Sequence, residues 1–241
     1  MTERIPKKMH FVWVGDDSLR PHNCIETWKI FHADWDVRIW GNDDWKNGHW
    51  KTKRHMDAIA ETGQLCGVAD LMRWEILLRE GGVTLDADSV CFQSIPEWLL
   101  DCEAFAASES ELQKPGLLAN GYVGARAGNE LIKYLVDQLN ADENLATKFV
   151  WYKLKRKKRS SWKTTGPMAL TNAVKALRYH NLTVVPSHFF IPRHYSGACY
   201  TGGGMVVCDQ LYAGTGSPKY LSLLKLSPEE LINEFRIKEW R

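Results

Sequence analysis

The chain has 241 residues, of which 44% are hydrophobic and 25% charged, with a formal net charge of +2. These values describe an ordinary globule, one domain or one domain with an appended lobe, and are enough for a full core. They exclude a spanning helix, since no stretch approaches the roughly 20 apolar residues that one needs, and the start lacks the apolar run of a secretion signal.

Residues 9–14 form an apolar, strand-like run between Pro6 and Gly15, which fits the first strand of a nucleotide-binding α/β layer. Pro21 opens a helix through Trp28 and Phe31, and residues 35–40 alternate as a second strand, the start of a βαβ alternation. Residues 41–51 read as a polar, glycine-containing loop whose Trp45 and Trp50 either cover a sugar or cap the core. Residues 53–63 look helical. Most of the eleven tryptophans are expected in plain packing. Six cysteines without a C-x-x-C pair are expected as reduced thiols.

Residues 67–90 are the stretch around which the chain is arranged. Leu71, Trp74, Leu77 and Leu78 recur at helical steps with one buried stripe, and Asp70 and Arg73 lie one turn apart, able to reach the same point. Gly81 and Gly82 close the helix, and Val83, Thr84 and Leu85 make a short buried strand that ends on Asp86-Ala87-Asp88. If extended, Asp86 and Asp88 share a face, with Cα atoms roughly 6 to 7 Å apart. Paired carboxylates without His or Cys suit Mg2+ or Mn2+ better than zinc, with a diphosphate and water completing the shell. An acid at the carboxyl end of a strand is also where open α/β sheets place ligands.

Residues 95–100 suggest a short helix and 105–107 a strand; residues 117–125 contain the turn-like Asn120-Gly121, and 128–140 supply a helix. Residues 153–163 hold seven basic residues in eleven, among them Lys155, Arg156, Lys157, Lys158 and Arg159. Such a run is a solvated face, a contact for an anionic membrane surface, or a grip on a nucleic acid. Thr164-Thr165-Gly166-Pro167 starts a helix through Leu177, residues 182–185 form a strand, and residues 189–192 are extended. His188 and His194 lack a convincing metal spacing.

Three blocks together resemble a known family: Ile5 to Gly15 (IPKKMHFVWVG), Ala69 to Glu75 (ADLMRWE) and Gly81 to Asp88 (GGVTLDAD). Their order and spacing are similar to those of DXD-containing, sugar-nucleotide-dependent glycosyltransferases related to yeast-type initiating α-1,6-mannosyltransferases. A more distant likeness is to the catalytic domains of large clostridial glucosylating toxins. The resemblance implies a GT-A-type α/β domain with a mixed, mainly parallel sheet flanked by helices.

It further implies that residues 1–125 hold the donor and 126–241 face the acceptor. The nucleoside then lies by the first strand near His10 or Trp13, Asp70 and Arg73 fix the donor sugar, and Asp86 and Asp88 hold Mn2+ or Mg2+. Asn120 meets the sugar or acceptor, and Thr165 and Gly166 approach the same place. Relatives end in a His-His-aromatic element and a Ser-Trp; the nearest match here starts at Asp209-Gln210, so either residue stands in for the third metal ligand, or water does. The expected activity is retaining transfer from a UDP- or GDP-linked sugar to a glycan or lipid-linked glycan, by a cytoplasmic enzyme that is at most peripheral at a membrane. The alternatives are a transferase acting on nucleic acid through the basic run, and a non-catalytic nucleotide-sugar or polyanion-binding module.

Overall fold

The computed structural model of the protein describes residues 4–154, 161–212 and 216–236. Its first half contains β1 (Lys8–Val12), α1 (His22–Phe31), β2 (Asp36–Trp40), α2 (Asn42–Asn47), α3 (Lys53–Glu61), α4 (Leu65–Glu80), β3 (Gly82–Leu85), β4 (Ser89–Cys91), β5 (Ala104–Ser110) and β6 (Lys114–Ala125). There follow α5 (Glu130–Ala141), α6 (Leu145–Leu154), α7 (Ser161–Thr164), α8 (Pro167–Leu177), β7 (Leu182–Val185), β8 (Cys208–Gln210), α9 (Pro218–Leu223) and α10 (Pro228–Phe235).

Six strands make one sheet in the order β2-β1-β3-β6-β5-β7. β1 pairs in parallel with β2 and β3, and β5 with β7, while β6 runs antiparallel to both β3 and β5. The sheet is therefore mixed and mainly parallel, as the βαβ alternation predicts. β7 comes from the second half of the chain and completes an edge, so both halves build the same sheet. β4 and β8 pair separately as a short antiparallel ribbon.

Side chains alternate across the strands and divide the core in two. Met9, Phe11, Val83, Leu85 and Phe105 face one cluster with Ile25 and Trp28 of α1. Ala104, Ala106 and Val123 face the other, beneath α3, α4, α5 and α8. α4 is buried on every side from Asp70 to Leu77, more than the single stripe that its pattern suggests, because helices pack on it from the side away from the sheet. Gly81 (φ +63°) and Gly82 (φ +95°) then reverse the chain into β3, a backbone course that side-chain-bearing residues rarely take.

Three local expectations differ from the structure. Residues 42–47 of the expected loop form α2, because the Asp44 carboxylate accepts the Gly41 amide at 2.8 Å and the Trp50 indole donates to the Asp44 carbonyl at 2.9 Å. Trp50 is buried edge-on against Trp40, and Trp45 packs on the same core, so both serve packing. Asn120-Gly121 lies inside β6, and residues 187–189 form a 3-10 turn in place of the start of an extended piece. All six cysteines are free thiols, and among the described residues no helix is long and apolar enough to cross a membrane.

A buried acid ties α4 to the loop before α3. The Glu75 carboxylate accepts the Lys51 amide at 2.7 Å, the Thr52 amide at 2.8 Å and the Thr52 hydroxyl at 2.7 Å. Hydrogen bonds to an ionised acceptor are stronger than neutral ones, and buried donors left alone are costly. Glu75→Ala should therefore lower the unfolding free energy by about 2–4 kcal/mol, read from urea denaturation.

Candidate active site

Three segments meet at one end of the sheet. α4 supplies Asp70 and Arg73, the turn after β3 supplies Asp86 and Asp88, and the middle of β6 supplies Asn120 and Gly121. The Arg73 guanidinium donates to the Asn120 carbonyl at 2.6 Å and to the Asp86 carboxylate at 2.7 Å. The Asn120 amide donates to Asp70 at 2.6 Å, and the Thr165 hydroxyl donates to the other Asp70 oxygen at 2.8 Å. Thr165 is fixed in turn by the Trp74 indole, which donates to its carbonyl at 2.7 Å. The Arg73 side chain is only 7% exposed and that of Asp86 31%, so this ion pair is shielded from water on the Arg73 side.

Two glycines allow this approach. A Cβ on Gly121 would lie 2.3 Å from Asp86 Oδ2, and one on Gly166 would lie 3.0 Å from Asp70 Oδ2 and 3.2 Å from Asn120 Nδ2. The Asn-Gly pair is therefore a point of close contact within a strand, where its local pattern suggests a turn.

Asp86-Ala87-Asp88 is itself a turn, so the two carboxylates do not share a strand face as the extended reading expects. The Ser89 hydroxyl, which accepts the Trp28 indole at 3.1 Å, closes the turn by donating to the Asp86 carbonyl at 2.6 Å. The Leu211 amide donates to the Asp88 carbonyl at 3.1 Å, which brings β8 against it. From β8 the Gln210 amide donates to Asp88 at 2.9 Å, and the Tyr122 hydroxyl donates to the Gln210 side-chain oxygen.

These groups line a cavity of about 540 Å3 at the carboxyl ends of β1 and β3. Among the described residues its wall holds five acids (Asp16, Asp70, Asp86, Asp88 and Glu109) and one cation, Arg73. Burial pushes Asp70 up to about 6 against the pull of Arg73 and Thr165. Burial and then the neighbouring Asp86 push Asp88 up to about 7, and the same two causes push Glu109 up to about 7. The wall's donors are hard oxygens, of the kind that suit Mg2+ or Mn2+. Asp88 and Asp86 could hold such an ion with ligand oxygens and water completing the shell, since among the described residues no group of three or more His, Cys, Asp or Glu side chains forms a full protein cage.

Other expected site residues lie elsewhere or play other parts. Trp13 lines the cavity. His10 does not: it is buried, accepts the Trp40 indole on Nδ1 at 3.2 Å and donates from Nε2 to the Gly81 carbonyl at 2.9 Å. It serves as a bridge from β1 to β2 and the Gly81 turn, because a residue inside β1 lies behind the strand ends. Asp209 faces away from Asp88 and pairs with Arg193, since adjacent residues of β8 alternate in direction; Gln210 is the one that reaches the acids. Lys155, Arg156, Lys157, Lys158 and Arg159 lie outside the described residues. Glu109 was not singled out by its sequence, although an acid two residues beyond Ala107, continuing the buried face of Phe105, is a usable signal.

With this geometry in view, residues 19–105 match the family model described as a glycosyltransferase sugar-binding region containing a DXD motif. Over these residues the chain is similar to that family. The region includes Asp70, Arg73, Asp86 and Asp88, while Asn120, Thr165 and Gln210 lie beyond it. Subversion of eukaryotic traffic protein A of Legionella pneumophila is 23% identical over 163 residues, covering 56% of this chain and 25% of that protein. The match thus spans about a quarter of that relative's length.

Solved glycosyltransferase structures share the fold. The UDP-bound glycosyltransferase domain of the YGT toxin aligns with a TM-score of 0.53 at 9% identity over 76% of this chain and 80% of that one. The PaToxG glycosyltransferase gives 0.51 at 16% over 73% and 70%, and the catalytic domain of alpha-toxin from Clostridium novyi gives 0.51 at 10% over 97% and 80%. The DXD region therefore sits in a GT-A-type fold.

The raised Asp88 carboxyl makes stability depend on pH in a definite sense. Its folded value, about 7, lies above the ordinary 3.8, so the native state keeps a proton that the unfolded chain releases. The stability this proton contributes is full below pH 3.8 and is lost as pH rises to about 7. Asp88→Asn, neutral throughout, should gain stability relative to the parent across that window and hold a constant difference above it. Urea denaturation at several pH values in chelator checks this.

Proposed function

We propose that the protein transfers a sugar from a nucleotide-diphosphate donor to a hydroxyl of a glycan or lipid-linked glycan, with Mn2+ or Mg2+ and with retention of anomeric configuration. The observation that carries this reading is the Asp70–Arg73–Asn120–Asp86 network at the floor of an acid-walled cavity with Asp88 beside it. The donor is UDP- or GDP-linked, and the UDP-bound structural neighbour makes a UDP-sugar the first to test.

The nucleoside lies against Trp13, Val14 and Leu19, the apolar part of the wall after β1. Sugar hydroxyls donate to Asp70, whose orientation Asn120 and Thr165 fix, and Arg73 presents its charge beside the diphosphate. Holding the anomeric carbon in one orientation lowers the barrier, because alignment alone can contribute several kcal/mol. A diphosphate is repelled by five acids, and Arg73 already serves Asp86. Asp88 and Asp86 would hold a divalent ion, which when bound would supply charge neutralisation and Lewis-acid stabilisation of the departing diphosphate. Retention, implied by the family resemblance, fits an acceptor that approaches on the same face as the leaving group. In this arrangement residues 1–125 hold the donor and residues 126–241 contribute the acceptor side.

The test is release of free nucleotide diphosphate from a panel of UDP- and GDP-sugars, with Mn2+, Mg2+ or chelator. One donor should be hydrolysed in a metal-dependent way, and Asp88→Ala should lower that rate by about a hundred-fold or more. Arg73→Lys keeps the charge but cannot bridge Asn120 and Asp86 at once, so it should also fall by about ten-fold or more. Turnover in Asp88→Ala equal to the parent, or in chelator equal to that in metal, contradicts the reading.

A further inference from the structure

Beside the main cavity lies a second chamber of about 300 Å3, at the small end of ligand sites. Glu109, Trp162, Pro167 and Tyr212 border both spaces, and Lys114, Leu117 and Tyr195 complete the smaller one. Its walls are largely apolar and aromatic: Tyr195 meets Tyr212 edge-on at 5.8 Å, and Lys114 sits 5.5 Å over the Trp162 ring. Tyr212 holds a left-handed backbone conformation (φ +47°), which tyrosine rarely adopts and which surrounding structure must enforce.

The acid at the junction belongs to β5. Glu109 is 17% exposed at its side chain, and its Oε1 lies 3.9 Å from His194 Nε2, a buried nitrogen without a hydrogen-bond partner among the described residues. The distance exceeds a hydrogen bond, so the Glu109 carboxyl, which lines both spaces, retains capacity for a third group. None of the donor contacts above uses it. Aromatic faces beside a carboxylate suit a pyranose, which offers apolar C–H faces and hydroxyl donors to the two kinds of surface.

We propose that this chamber is the acceptor subsite, that it takes a single pyranose ring of a glycan or glycoside, and that Glu109 accepts the hydrogen bond of the hydroxyl to be glycosylated. The location of four lining residues on both spaces puts such a hydroxyl at the edge of the donor cavity. The size of the chamber selects one ring, with the rest of the acceptor outside. This assignment rests on the glycosyltransferase reading for its reaction, but the chamber can be tested without turnover.

The test is ligand-observed saturation-transfer NMR on the full chain with Mn2+ and UDP, using a panel of methyl α- and β-hexopyranosides, with N-acetyltyrosinamide as a rival. At least one methyl glycoside should bind, and Glu109→Gln and Tyr195→Ala should each weaken its Kd about ten-fold or more, the loss of a hydrogen bond to a charged group being of that size. The two changes lie on different segments, and thermal unfolding identifies a variant that has not folded; Leu117→Trp, which fills the chamber, is a third way to remove the site. The proposal is overturned if no glycoside binds, if binding is unchanged in the folded variants, or if only the tyrosine derivative binds. If UDP does not bind, the donor reading fails, and the same glycoside titration without nucleotide decides the chamber by the same criteria.

Discussion

The arrangement depends on one guanidinium. Arg73 leaves α4 and bonds at once to the backbone of β6 at Asn120 and to the carboxylate that follows β3 at Asp86. A buried charge that lost these partners would carry a large penalty, so the helix, the reversed strand and the acidic turn are held in one relative position. The planar fork of arginine matters here, because a point charge cannot satisfy two acceptors set in different directions. Asp70, placed one turn earlier, is then fixed between Asn120 and Thr165, and Thr165 is anchored through its carbonyl by Trp74 of the same helix.

Around this centre the protein accepts an electrostatic imbalance. Asp70, Asp88 and Glu109 are all held above the ordinary carboxylate range, with burial as the leading cause in each. Titratable groups shifted together in a cleft are a mark of functional sites, though ion-pair networks also produce them. Here the three carboxyls face one cavity, and a bound cation would displace the protons that burial makes them keep.

Much of this was legible in the residues. The three- and four-residue steps of Leu71, Trp74, Leu77 and Leu78 locate α4, and the one-turn spacing of Asp70 and Arg73 anticipates their convergence. What was not legible depends on contacts distant in sequence. Asn120-Gly121 carries a local turn signal, yet it lies inside β6 at a shift of register between the Val123–Ala106 and Leu118–Ser108 pairs, with Asp86 close against Gly121. The helix at residues 42–47 depends on a cap from Asp44 and a lock from Trp50, neither of which a polar composition reveals. The choice of Gln210 over Asp209 follows from the register of β8 on β4, a pairing across more than a hundred residues. The shift from extended to turned geometry at Asp86-Ala87-Asp88 follows from Ser89, whose hydroxyl draws back the Asp86 carbonyl.

The most direct test of the central claim is a crystal structure of the protein with Mn2+ and UDP, using the anomalous signal of manganese to locate the ion. The account predicts manganese bonded directly to an Asp88 oxygen, with the diphosphate on the same ion and the Arg73–Asp86 bridge intact. Manganese and nucleotide bound together at a place that touches neither Asp88 nor Asp86 would contradict it.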